Sequence, residues 1–317
     1  MTGEPELGGL YVPLVTPFDE RGEVDLACVE RLTADCLDAG AAGVVALATT
    51  GEATSLTDDE RNEIVAACAR VCRDRGAQLL VGAGTNDTRT TVARHAALAD
   101  VPDVTASLAV VPYYVRPSEA AIVAHLRHVA DRSPVPLVVY NIPYRTGRGL
   151  GAASLLELAA SPNVIGVKQA VDGIDADTLT VLAASPDGFA FLGGDDPYLF
   201  PVVLMGGDGA IAASAHLATE RFVAMIDHGL AGRLAQGRDH AEMLLPLVLR
   251  LFAEPSPAVI KAVLHAEGRI PTPDVRMPLS NATTAAVRDA CDALRNARVP
   301  RSGATTGTAH RRRRTVS

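Results

Sequence analysis

Of the 29 Lys and Arg residues in this chain, two are lysine: Lys168 and Lys261. Where almost every positive charge is arginine, a retained lysine points to something a guanidinium cannot do. An imine needs a primary amine able to lose its proton, and arginine stays protonated. Lys168 closes the apolar run Val164-Ile165-Gly166-Val167. Alone, such a lysine reads as a surface side chain whose stem lies along apolar neighbours. In an apolar mouth its pKa falls, and the neutral amine attacks a carbonyl to give a Schiff base. The protonated imine withdraws electrons, so an adjacent methyl becomes an enamine carbon nucleophile, which is the chemistry of a class I aldolase acting on a small 2-oxo acid.

That chemistry needs proton carriers and anion holders. Tyr140 ends the run Leu137–Asn141, and Thr49 follows the run Gly43–Ala48. Phenol and hydroxyl both donate and accept protons, although a lone tyrosine at a strand end is more often a packing residue. Arg145, in the segment after Tyr140, suits a bidentate clamp on a carboxylate. A surface ion pair is its plainer reading. Thr50 and the turn at Gly51 could hold a second carboxylate through a hydroxyl and backbone N–H groups. Lys261 falls in a helical stretch away from these runs and reads as structural.

The elements that must bring these residues together are legible in the hydrophobic pattern. Eight apolar runs recur: Leu10–Val15, Gly43–Ala48, Gln78–Gly82, Val104–Val110, Leu137–Asn141, Val164–Lys168, Phe189–Gly193 and Gly209–Ala212. Near-continuous apolar runs suit parallel strands buried on both faces. Amphipathic segments of about 10 to 18 residues separate them. In one of these, Thr57 with Glu60 forms a capping-box pattern before Ile64, Val65, Cys68, Val71 and Cys72, and Gly76 ends it. Asp25 to Ala39 stops at Gly40, and Ser118 opens another helix. Eight β-then-α units predict an α/β fold, a (β/α)₈ TIM barrel with a C-terminal helical extension. A doubly wound open sheet would carry a Gly-rich turn after its first strand, where Thr16-Pro17-Phe18-Asp19 stands instead. The expected division is a lead over 1–9, the barrel over 10–230, the helical extension over 231–298 and a disordered basic tail over 299–317. In a barrel the active site lies at the C-terminal ends of the strands. There the mapping gathers Thr49, Thr50, Tyr113, Tyr114, Tyr140, Arg145, Lys168 and Asp195-Asp196.

Composition narrows the function class. Of 317 residues, 48% are hydrophobic and 21% charged, as in ordinary globular proteins. No apolar run reaches the roughly 20 residues of a membrane helix, and residues 1–9 lack the pattern of a secretory signal. A cytoplasmic location is expected. A net charge of −8 argues against nucleic-acid binding, and Arg311–Arg314 reads as a solvated tail. The five cysteines form no CxxC pair, and the eight histidines no HExxH, so neither a disulfide framework nor a metal site is expected. Gly206-Gly207-Asp208-Gly209 reads as a turn rather than a phosphate loop.

The motifs resemble those of the dihydrodipicolinate synthase / N-acetylneuraminate lyase family, from about Leu10 to Ala297. Thr49-Thr50-Gly51-Glu52, Tyr113-Tyr114, Tyr140-Asn141-Ile142-Pro143, Gly166-Val167-Lys168, Gly194-Asp195-Asp196 and Gly209-Ala210-Ile211 match the family's patterns in order and spacing. The resemblance implies an imine between Lys168 and pyruvate, with no cofactor. It implies a proton relay of Tyr140, Thr49 and Tyr114, with Tyr114 entering from a neighbouring subunit of a homo-oligomer, a tetramer of two tight dimers. Thr50, Gly51, Gly194 and the backbone at Ile211 would line the pyruvate site. Arg145-Thr146-Gly147 is similar to the synthase branch, in which the arginine holds the carboxylate of aspartate semialdehyde. Lysine feedback is expected to be absent, because Thr90 stands where inhibited members carry a glutamate, beside Asn86 and Tyr113, with Asp58 and Arg61 where some carry histidines.

This chain departs from the family at Ala48, Val115, Ser256 and Val259. The departures leave the imine chemistry intact and bear on the aldehyde partner, so another pyruvate-dependent aldolase, 2-oxo acid lyase or dehydratase is the alternative. A non-catalytic barrel of the same fold is a further one, since fold alone does not imply activity.

Overall fold

The apolar runs become parallel strands that close on themselves. They are β1 (Gly9–Pro13), β2 (Gly43–Ala46), β3 (Gln78–Gly82), β4 (Val104–Val110), β5 (Leu137–Asn141), β6 (Val164–Gln169), β7 (Ala190–Gly193) and β8 (Gly209–Ile211). Their order around the barrel is their order in the chain, and β8 returns to β1 through Gly9↔Gly209, Leu10↔Ala210 and Tyr11↔Ile211. The structure, a computed structural model, describes residues 5–299. The Arg311–Arg314 run, and all but the first residue of the expected tail, lie outside the described residues.

Among the described residues twelve α-helices accompany the strands: α1 (Leu26–Asp38), α2 (Asp58–Arg75), α3 (Thr88–Ala96), α4 (Glu119–Ala130), α5 (Pro143–Thr146), α6 (Ala152–Ala159), α7 (Ala176–Ala184), α8 (Leu199–Leu204), α9 (Thr219–Leu230), α10 (Leu234–Leu251), α11 (Ala258–Ala266) and α12 (Thr284–Arg298). Their ends follow local chemistry. The Thr57 hydroxyl accepts from the Glu60 N–H while the Glu60 carboxylate accepts from the Thr57 N–H at 2.8 Å, a complete capping box. Asp25 and Ser118 cap α1 and α4 by accepting the N–H groups of Cys28 and Ala121. Several helices are shorter than the sequence pattern suggests. α8 has six residues, because the Asp196–Tyr198 3₁₀ turn carrying Pro197 precedes it and Gly206, at φ 106°, turns the chain into β8. The single turn α5 was not expected from periodicity. Pro143 starts it and Gly147 ends it at φ 72°.

Strand alternation sorts the side chains into two cores. Val45, Leu80, Val138, Ile165, Leu192 and Ile211 fill the barrel interior. Their neighbours Val44, Leu79, Val81 and Val139 face outward against the helices. The last helices share a separate apolar cluster: Leu247, Leu251, Val259, Ile260, Val263 and Leu294 pack against Val15, Leu32 and Leu217. Cys68 and Cys72 are buried along α2 as expected, and all five cysteines are free. Gly82 is required sterically, since a Cβ there would stand 2.2 Å from the Leu47 carbonyl oxygen.

Candidate active site

Tyr140 on β5 pairs in register with Lys168 on β6, which pairs with Leu192 on β7. Residues in register on parallel strands point the same way, so Lys168 shares the inward face with Tyr140 and the interior core. Its ammonium lies 4.2 Å from the centroid of the Tyr140 ring, and the residue is 5% exposed. Burial lowers the Lys168 pKa to about 8. The Asp196 and Asp195 carboxylates oppose the shift, and Arg145 adds to it. Gly194 gives the lysine its room: a Cβ there would lie 3.0 Å from both Cγ and Cε of Lys168.

Burial raises the Tyr140 phenol to about 12, and a hydrogen bond with the Thr49 side chain works against that. Thr49 opens the 3₁₀ turn Thr49–Gly51. Thr50 is buried, and the Gly51 carbonyl accepts from the Thr16 hydroxyl at 2.7 Å. Glu52 follows in the left-handed region, at φ 52°. Its carboxylate meets the Lys261 ammonium at 2.8 Å with both side chains fully buried, and takes the Arg276 N–H at 2.7 Å. Lys261 thus has a structural role: α11 reaches across to hold the turn that bears Thr49 and Thr50.

The segment carrying Arg145 is pinned by Asn141. The Asn141 amide donates to the Leu150 carbonyl at 3.1 Å and to the Gln169 side chain at 3.0 Å, and its oxygen accepts the Leu150 N–H. Arg145 is exposed beside Tyr144, its guanidinium 5.0 Å from that ring centroid. Thr49, Tyr113, Tyr140, Arg145 and Thr146 line one cavity of about 250 Å³, with Ala48 in its wall in place of the family's glycine. Ile211 lies in the interior core with Tyr140.

Lys168, Tyr140, Thr49 and Arg145 are therefore brought together, Thr50 and Gly51 sit in the adjoining turn, and Gly194 packs on the lysine. Tyr114 stands apart from them. It is 88% exposed, has φ of 70° and does not line the cavity within its own chain.

Sequence reasoning gave no role to Asp196. It is buried, with its carboxylate accepting the Ser214 N–H at 2.7 Å, and burial raises its pKa. Its signal was the acidic pair that ends the seventh run. The Glu52–Lys261 contact left no local signal, its partners being 209 positions apart. Among the described residues no group of three or more His, Cys, Asp or Glu is placed to hold a metal ion, and no helix is long and apolar enough to cross a membrane.

Comparison with known proteins agrees with this geometry. The model of the dihydrodipicolinate synthetase family matches residues 6–297. A 4-hydroxy-tetrahydrodipicolinate synthase of Salinibacter ruber is 38% identical over 274 residues, spanning 86% of this chain and 89% of that protein. The 4-hydroxy-tetrahydrodipicolinate synthase 2 of Clostridium acetobutylicum is 34% identical over 274 residues, spanning 86% and 94%. The crystal structure of dihydrodipicolinate synthase from Thermotoga maritima superposes with a TM-score of 0.89 at 30% identity, covering 92% of this chain and 99% of that one. With a family match over nearly the whole chain and a closed barrel that carries a buried lysine on its sixth strand, this chain belongs to the dihydrodipicolinate synthetase family.

Proposed function

We propose that this chain is a class I, Schiff-base-forming aldolase that condenses pyruvate with aspartate 4-semialdehyde, the activity of a 4-hydroxy-tetrahydrodipicolinate synthase. The observation that carries this reading is Lys168: buried, against the Tyr140 ring, with a pKa lowered to about 8. Near neutral pH about a tenth of such an amine is free base, enough for attack. The amine adds to C2 of pyruvate and water leaves, giving the protonated imine. Loss of a proton from the methyl carbon yields the enamine, whose carbon attacks the aldehyde. Tyr140 and Thr49 carry the protons; burial holds the Tyr140 phenol near 12, so it stays protonated and relays by giving up one proton as it accepts another.

Thr50, Gly51, Gly194 and the backbone at Ile211 line the pyruvate site in this reading, and Arg145 takes the carboxylate of the aldehyde. No cofactor is used, since the lysine imine is itself the electron sink. The enzyme works in the cytoplasm, in lysine biosynthesis, as a homo-oligomer, a tetramer built from tight dimers. Tyr114 completes the relay of a neighbouring subunit, and its exposure supports this, because a tyrosine directed at its own site would be covered.

Borohydride treatment with pyruvate tests the reading. Mass spectrometry should find a reduced adduct on Lys168 and none in Lys168→Arg, which keeps the charge and loses the nucleophile. An equal adduct yield in that variant excludes Lys168. A screen of aldehydes that includes aspartate semialdehyde then tests the second substrate, and turnover of every aldehyde except that one would refute the synthase assignment.

A further inference from the structure

Arg276 lies in the loop between α11 and α12, far in the chain from the strand ends. Its guanidinium nevertheless reaches three segments beside the site. Nη1 donates to the Ser55 carbonyl at 3.0 Å and to the Glu60 carboxylate at 2.8 Å. Nη2 donates to the Gly22 carbonyl at 2.9 Å and to the other Glu60 oxygen. The guanidinium carbon stands 4.4 Å from the centroid of the Phe18 ring, which the Lys261 ammonium also faces. The Arg276 side chain is 23% exposed and that of Glu60 15%, so salt and solvent screen this pair less than a surface one.

These contacts converge on the turn that bears Thr49 and Thr50. It consists of two short 3₁₀ pieces, Thr49–Gly51 and Ala53–Ser55, joined at Glu52. Glu52 is a non-glycine residue in the left-handed region, at φ 52° and ψ 33°, a conformation that persists only where its surroundings enforce it. Hydrogen bonds of the 3₁₀ type have poor geometry, so the turn needs ties from outside. The Thr16 hydroxyl holds the Gly51 carbonyl, Lys261 and the Arg276 N–H hold the Glu52 carboxylate, and the Arg276 guanidinium holds the Ser55 carbonyl. Arg276 therefore grips the turn twice, through its backbone at the strained joint and through its side chain at the far end. A planar fork fixes the directions of several bonds at once, which a lysine ammonium does not.

We infer that Arg276 is a positioning residue for the 2-oxo acid: its guanidinium holds the turn so that Thr50 and the backbone at Gly51 face the carboxylate of the bound acid. The helical extension thereby sets the affinity for the first substrate without lining its cavity. The inference rests on the aldolase reading, in which Thr50 and Gly51 take that carboxylate. The contact is made alike before and during reaction, so a displaced turn raises KM more than it slows the saturated enzyme.

Full-length wild type, Arg276→Gln and Arg276→Lys should be treated with borohydride over a range of pyruvate concentrations, and the adduct on Lys168 quantified by mass spectrometry. Circular dichroism melts establish that each protein is folded at the assay temperature. Arg276→Lys keeps a cation beside Glu60 and Phe18, which guards the fold while removing the fork. In both variants the pyruvate concentration for half-maximal trapping should rise about tenfold, while the trapping rate at saturation stays within about threefold of wild type. A purely structural role predicts a lower melting temperature with unchanged half-saturation. Half-saturation within about twofold of wild type in either folded variant overturns the inference, as does a loss confined to the rate at saturation. No adduct in the wild type at any pyruvate concentration overturns the aldolase reading and this inference with it, whereas a wild-type adduct with unmoved variants overturns this inference alone.

Discussion

Lys261→Met should unfold this protein far more readily than a typical substitution, and the pairing geometry sets the size of the effect. The Lys261 ammonium and the Glu52 carboxylate are 2.8 Å apart, and neither side chain reaches solvent. At an effective dielectric constant of about 20, unit charges at that separation attract by about 6 kcal/mol. Desolvation of both ions offsets much of that, so the intact pair adds little net stability. Removing one ion is a different matter: the carboxylate stays buried with the Arg276 N–H as the one remaining hydrogen-bond donor among the described residues, at a cost of about 3–5 kcal/mol. Methionine fills similar volume and can lie against the Phe18 ring, which the ammonium now faces at 4.0 Å. Chemical denaturation at fixed protein concentration should show a loss in that range for Lys261→Met. The double variant Glu52→Gln with Lys261→Met should recover at least half of it, because no uncompensated charge remains. A loss below about 1 kcal/mol in the single variant would refute the argument, as would a double variant equal to the sum of the two singles, since paired residues couple.

Further predictions concern the chemistry. Imine formation with pyruvate should rise about tenfold per pH unit below the Lys168 pKa of about 8 and level off above it, because only the free base attacks. Asp196 holds that pKa up, so Asp196→Asn should move the midpoint to lower pH, and a midpoint unmoved or raised would show that Asp196 does not act on the lysine. Arg145→Ala should cost about 1.5–3 kcal/mol in kcat/KM for a carboxylated aldehyde while sparing pyruvate imine formation; equal losses in both would contradict its role as the aldehyde clamp. Tyr114→Phe and Lys168→Ala, each inactive alone, should regain part of the activity when mixed and reassembled, and failure despite proven subunit exchange would place Tyr114 outside the neighbour's relay. Millimolar lysine should leave the condensation rate unchanged, since Thr90 supplies no charge for an ammonium; saturable inhibition below that range would overturn this.

What could be read from the amino-acid order alone was local or periodic. The eight apolar runs, the Thr57–Glu60 cap and the glycine stops depend on neighbours a few positions apart, and their physical signals survive in one dimension. Lys168 was legible for a chemical reason, as one of two lysines in a chain that otherwise uses arginine. Strand periodicity then placed it on a strand end beside Tyr140. The tertiary structure decided whatever depends on desolvation and on distant partners. The lowered Lys168 pKa needs the packed barrel mouth around it. Lys261 is structural because α11 carries it to Glu52, 209 positions away. Arg61 and Arg94 line one cavity because α2 and α3 both border it, which neither helix pattern encodes. A charge's worth is set by what surrounds it in three dimensions, and a one-dimensional pattern of apolar and polar residues does not carry that quantity.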